Sequence, residues 1–173
     1  MNACLLKPKF ILSELRKFET PVLWVDCDCN LVSSPSEVDE LDCDIAVVPF
    51  YFDGKINQPH CIKSSAIFFN TTGPALDFVD SWAKACEKGD AHFNDHEYLI
   101  LTYHRFKHFN FAKIVDLPEA FCWTPITREM KDRSRKVIEL GLGKNVSKAE
   151  SLDGQRKTGL RNRLKERISK IYG

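Results

Sequence analysis

Residues 7–18 put Phe10, Ile11, Leu15 and Phe18 at helical spacing, and Pro8 suits a first turn, so this stretch predicts a short amphipathic helix. Pro21 then opens Val22-Leu23-Trp24-Val25. This continuous apolar run is too short for a buried helix, and its β-branched and aromatic side chains suit an interior parallel strand. After the polar loop Ser33-Ser34-Pro35-Ser36, Asp44-Ile45-Ala46-Val47-Val48-Pro49 predicts a second buried strand and Ser65-Ala66-Ile67-Phe68-Phe69-Asn70 a third. Thr71-Thr72-Gly73-Pro74 is turn chemistry leading into a helix over residues 74–88, with Leu76, Val79, Trp82, Ala83 and Cys86 on one face and Gly89 at its end. Another helix is predicted from Asp95 to about His104, capped by Asn94, with Tyr98, Leu99, Leu101 and Thr102 inward. Residues 113–118 predict a last short strand, and Phe121-Cys122-Trp123 closes the apolar body. Alternating strands and helices imply an α/β sandwich around a mainly parallel sheet.

Length adds that one domain is expected from 173 residues. Hydrophobic residues at 43% and charged residues at 28% are ordinary for a globular chain, and no window reaches the roughly 18 apolar residues of a membrane span. Lys7, Lys9 and Glu14 interrupt the only apolar stretch near the start, so no signal peptide is expected and the expected location is cytoplasmic. The seven cysteines, odd in number and irregularly spaced, then read as reduced thiols. A zinc site on Cys27 and Cys29 would lack a second closely spaced pair.

Charge divides the chain. Up to Pro125 there are 11 basic against 18 acidic side chains, a net −7; from Ile126 on there are 14 against 6, a net +8. The expected organisation is therefore a body over residues 1–125 and a basic, partly helical extension over 126–173, in which Leu160, Leu164, Ile168 and Ile171 fall at helical spacing among basic residues. Such a tail suits an anionic partner, either nucleic acid or a membrane surface; the plain alternative is that its apolar residues pack on the body.

The candidate chemistry lies at the end of the first apolar run. Asp26 and Asp28 are separated by one residue, and two carboxylates so close repel unless a cation or a strong donor set compensates. A hard divalent ion, Mn²⁺ or Mg²⁺, would do so and could share them with a diphosphate. Ligands also gather at the carboxyl ends of strands in open α/β sheets. The bland reading is that both aspartates cap a strand and a loop.

Three stretches, Lys7-Pro8-Lys9-Phe10-Ile11, Pro21 to Asp28 and Asp44-Ile45-Ala46-Val47, resemble the nucleotide-diphospho-sugar transferases of the GT-A fold. The likeness continues in order through Ser64 to Asn70, Ala75 to Trp82, Asn94-Asp95-His96-Glu97 and Leu117-Pro118-Glu119, covering about residues 7–125. It implies a GT-A-like sandwich, a metal-dependent glycosyltransferase and a nucleotide-sugar donor. Asp26 matches the first carboxylate of the D-x-D motif, near ribose and metal, and Asp28 matches the second, which binds the metal. Ser65 and Ala66 match the lining of the donor-sugar pocket, with Asn70 further along the strand, and Asp95 and Glu97 match acids that hold sugar hydroxyls or act as base. Family members also carry about one βα unit ahead of the helix that begins here near Lys7. A βαβ unit takes roughly 30 residues, so base recognition is not expected from this stretch. His60, His92, His96, His104 and His108 are the candidates for a third metal ligand.

Two rivals remain open. Asp26-Cys27-Asp28 followed by Ile67-Phe68-Phe69-Asn70-Thr71 also resembles a haloacid dehalogenase-like phosphatase with Asp26 as nucleophile, though Asp116 stands alone where a late acidic pair is wanted. A catalytically inactive GT-A-like module acting through its basic tail is the other.

Overall fold

The first helix, α1 (Lys7–Phe18), has the predicted bounds. It buries Ile11, Leu12 and Leu15, while Phe10 and Phe18 face outward at 55% and 56% exposure. Glu19 closes it in the left-handed conformation (φ 51°), returning its N–H to the Leu15 carbonyl at 3.1 Å. This computed structural model describes residues 3–52, 55–89, 93–122 and 137–140. The chain divides into the units Met1–Leu140 and Gly141–Gly173. The second unit, with the helix expected around Leu160 to Ile171, lies outside the described residues.

Strand β1 (Val22–Val25) is followed by β2 (Cys29–Leu31), β3 (Ile45–Phe52) and β4 (Lys55–Phe69). Helices α2 (Gly73–Lys88) and α3 (Asp95–His108), then β5 (Ile114–Asp116) and β6 (Ile138–Leu140), complete the order. Four strands form one sheet in the order β1-β4-β3-β5, and β2 pairs with β6 in a second.

The expectation of a mainly parallel sheet is corrected here. Strand β4 pairs antiparallel with both β1 and β3, and only β3 and β5 run parallel. The physical reason lies in two features. Phe52 pairs with Lys55, so β3 and β4 form a hairpin across the dipeptide Asp53-Gly54, a sequence favoured in two-residue connections. The apolar runs of β3 and β4 instead reflect burial on both faces of a mixed sheet, whereas β1, expected as an interior strand, is an edge strand and half-buried along its length. Ala46, Val48, Ala66 and Phe68 pack with Val38, Leu117, Phe121 and Ile138. Their neighbours in sequence, Ile45, Val47, Ile67 and Phe69, are equally buried, with the Phe69 ring 6.2 Å from that of Phe78 on α2.

Helix α2 starts from Thr72, whose side chain accepts from the Ala75 N–H, and α3 starts from Asn94 in a reciprocal cap with Glu97. Burial on α2 includes Phe78, while Leu76 is only half-buried; on α3 it runs on through Tyr103 and Phe106, about one turn past the apolar set predicted from sequence. The fully buried Trp82 donates its indole N–H to the Asp95 carbonyl at 2.9 Å, so α2 holds the first turn of α3 in place.

Candidate functional site

At the carboxyl end of β1 the ladder with β4 runs one step further, as the Asp26 N–H donates to the Ser65 carbonyl at 3.0 Å. The chain then reverses tightly, with the Cys29 N–H returning to the Asp26 carbonyl at 3.0 Å. Cys27 and Asp28 occupy the centre of this turn and are exposed. Asp28 therefore presents its carboxylate to solvent, with the Cys29 thiol 3.8 Å from it.

Opposite the turn, β4 is irregular. Val47 pairs with Ile67 but the next residue, Val48, pairs with Lys63, so Ser64, Ser65 and Ala66 have no partners on β3. Bulges of this kind bend a strand and redirect its polar groups. Here the Ser65 carbonyl goes to Asp26 and the Ser64 carbonyl accepts from the Lys7 ammonium at 2.7 Å. The Ser65 hydroxyl also hydrogen-bonds the Cys122 thiol, and Ala66 is fully buried against the sheet.

Lys7 connects the parts. Its side chain is 8% exposed, and its ammonium lies 2.7 Å from Asp26 Oδ1 and 3.7 Å from Asp95 Oδ2. Asp26 Oδ1 also accepts the Trp24 indole N–H at 2.7 Å, and the Trp24 ring centroid is 5.1 Å from the ammonium. Asp95, 8% exposed, is the first residue of α3, where the helix dipole favours an anion. One cation and two carboxylates thus meet where β1 ends, β4 bulges and α3 begins.

The other expected site residues lie elsewhere. Glu97 is 3% exposed; its Oε2 accepts the Asn94 N–H at 2.9 Å as part of the α3 cap, and its Oε1 has no hydrogen bond among the described residues. Asn70 follows Phe69, which pairs with Val22 at the start of β1. Five residues of strand from Ser65 amount to about 16 Å, so Asn70 is at the opposite end of the sheet from Asp26. There it donates to the Cys43 carbonyl at 3.0 Å and accepts the Thr71 N–H at 2.8 Å. His96 places Nε2 2.6 Å from the Ile62 carbonyl and stacks on Phe50. His104 and His108 make ring contacts with Tyr103 and Phe109, and the His60 and His92 side chains lie outside the described residues.

Lys7, Trp24 and Ser64 were not legible as site residues. A basic residue in a first helical turn opposes the dipole, and that mismatch at Lys7 is the signal in the sequence that points to a compensating anion. The Cys29 and Cys122 thiols beside the turn are poor nucleophiles. Burial first, then Cys122, Asp28 and Asp26, pushes Cys29 up to about 12, and burial likewise raises Cys122. Cys27, Cys29, Cys43, Cys61, Cys86 and Cys122 form no disulfides.

For a cation from solution, the carboxylates of Asp28 and Asp26 are the oxygen donors near the turn that a hard divalent ion would take. They are an incomplete set, since no group of three or more His, Cys, Asp or Glu side chains able to hold a metal occurs among the described residues. No helix among them is long and apolar enough to cross a membrane.

No protein-family model matches the chain, and no curated protein matches it in sequence. Solved structures do match. The glycosyltransferase GlyE of Streptococcus pneumoniae TIGR4 superposes with a TM-score of 0.51 at 13% identity, over 84% of this chain and 38% of GlyE. Its apo form gives 0.54 at 13% identity, over 82% and 36%. A glycosyltransferase involved in the glycosylation of the major capsid of PBCV-1 gives 0.56 at 10% identity, over 86% of this chain and 74% of that one. The chain thus has a glycosyltransferase-like fold of mixed α/β type, and it spans a little over a third of GlyE.

Proposed function

We propose that this domain belongs to a glycosyltransferase that moves a sugar from a nucleotide-diphosphate donor to an acceptor. The observation that carries the reading is the meeting of Asp26, Lys7 and Asp95 beside the β4 bulge, at a strand end of a glycosyltransferase-like fold. In this reading the exposed Asp28 and the free oxygen of Asp26 hold Mn²⁺ or Mg²⁺, with donor phosphate oxygens and water completing the shell. The ion supplies charge stabilisation for the leaving diphosphate.

The chain's own groups do the rest. Asp28, on a turn open to solvent, has only the long Cys29 thiol contact to give up when it meets the diphosphate. Ser65 borders the donor sugar across from Asp26, while Ala66, fully buried in the core, does not reach it; Asp95 is placed to accept from sugar hydroxyls. Trp24 and Lys7 fix one oxygen of Asp26, so that the other is the one available to the ion.

The phosphatase alternative has less support. Asp116 sits at the end of β5, three strand spacings or about 14 Å from β1, too far to act with Asp26 on one phosphate. A screen of nucleotide sugars for Mn²⁺-dependent thermal shifts tests the transferase reading, because a ligand bound to the native state raises its apparent stability. A shift with at least one donor, lost in Asp28→Ala, is the expected result. Stable trapping of beryllium fluoride on Asp26 would overturn it in favour of the phosphatase, and no shift with any donor would favour an inactive module.

A further inference from the structure

Lysine is seldom buried unless every N–H of its ammonium finds an acceptor. Lys7 faces three oxygens from three separate elements: Asp26 Oδ1 just after β1 at 2.7 Å, the Ser64 carbonyl of β4 at 2.7 Å and Asp95 Oδ2 of α3 at 3.7 Å. The indole of Trp24 closes a further side, with its centroid 5.1 Å away. Each acceptor is itself anchored. Asp26 is held through its N–H to Ser65, Ser64 belongs to the bulge, and the Asp95 carbonyl is held by Trp82. The ammonium is the one group among them that touches both carboxylates.

An ion pair with a stability role alone would need one partner and no particular place in the fold. This one joins the two carboxylates to which the transferase reading gives different tasks, Asp26 toward the diphosphate and Asp95 toward the sugar. We infer that Lys7 is a positioning residue: its ammonium ties the end of β1 to the start of α3 across the β4 bulge and so sets the separation of Asp26 and Asp95 around the donor. The inference rests on the transferase reading for what is positioned, and on the geometry alone for the tie itself.

Two arms test it in the full chain. In the first, the ¹⁵N-labelled lysine ammonium resonances of the native protein are recorded, with Lys7 assigned by the signal lost in Lys7→Arg. A slowly exchanging Lys7 signal that moves in Asp95→Asn is expected. A Lys7 signal that exchanges as fast as those of surface lysines, or is unmoved by Asp95→Asn, overturns the tie. In the second arm, Lys7→Met, Asp95→Asn and the double variant are assayed with Mn²⁺ and the donor found in the screen above. Lys7→Met is expected to lower kcat about 10- to 100-fold, the range for outer partners of ligating side chains, with donor KM within about threefold. The double variant should lose little more than Asp95→Asn alone, because the two changes break one contact. Multiplicative losses, or a folded Lys7→Met with native kcat, overturn the positioning role. If Lys7→Met does not fold, Lys7→Gln, which removes the cation but keeps hydrogen-bond donors, takes its place in the cycle under the same criterion. Absence of turnover by the native protein with every donor defeats the transferase reading and with it the positioning role, while the first arm still decides the tie.

Discussion

The two ends of the four-stranded sheet carry similar residues and put them to different uses. At the end away from Asp26, Asp44 accepts the Thr72 hydroxyl at 2.6 Å on one oxygen and the Lys113 N–H at 2.6 Å on the other. Asn70 there is used on both sides of its amide, by Cys43 and Thr71. Backbone groups supply most of the partners, so this cluster ties α2, β3 and β5 together and leaves little for a ligand. At the other end Asp26 is bound by two side chains, Asp28 lies open, and the central cation belongs to a side chain whose length lets it span elements. A polar cluster closed by backbone donors is architecture; one closed by a buried ammonium beside an open carboxylate has chemistry left over.

The sharpest way to break this contrast is Asp28→Ala. Metal-dependent donor turnover should fall by at least about 100-fold, more than removal of an outer partner costs, while the melting curve is nearly unchanged, as for most exposed sites. A fully active variant would leave the site end without its distinguishing residue. Asp44→Ala should do the reverse, costing about 2–3 kcal/mol in denaturant unfolding by leaving the Lys113 N–H and the Thr72 hydroxyl without their acceptor, with turnover per folded molecule unchanged. Asn70→Ala should cost about 1 kcal/mol and leave donor affinity as it was, and weakened donor binding would mean that the two ends are not separate.

A smaller effect compares a thiol from each end. Cys43, buried beside Asp44, is raised by burial first and then by that carboxylate, while Cys29 is raised from 9.0 to about 12. In the unfolded chain these thiols lose protons near pH 9 while the folded protein keeps them. Their contribution to stability is present below pH 9 and is lost as pH rises toward 12. Urea unfolding between pH 8 and 11 should show the decline, and Cys29→Ala should make it shallower.

Local chemistry was enough for α1, β1 and the starts of α2 and α3. A proline in the first turn, a Thr or Asn cap and a reciprocal Glu97 are short-range signals whose partners lie within four residues. The pair Asp26 and Asp28 was likewise visible as two like charges at a strand end. The first half of β4 was not read as strand, although Asp53-Gly54 marked its hairpin, because residues 55–60 lack the apolar run that marked the other strands. Strands β2 and β6 are three residues each and more than a hundred positions apart, too short for any periodicity to reveal.

What the sequence by itself determined is where the helices, β1 and β3 begin and that a carboxylate pair follows the first strand, since each rests on neighbours in the chain. Only the tertiary structure decided strand direction, the exile of Asn70 to the far end of the sheet and the role of Lys7. An apolar run records burial on two faces and not the direction of the strand beside it. A lysine looks solvated until the fold brings it within 4 Å of carboxylates 19 and 88 positions away.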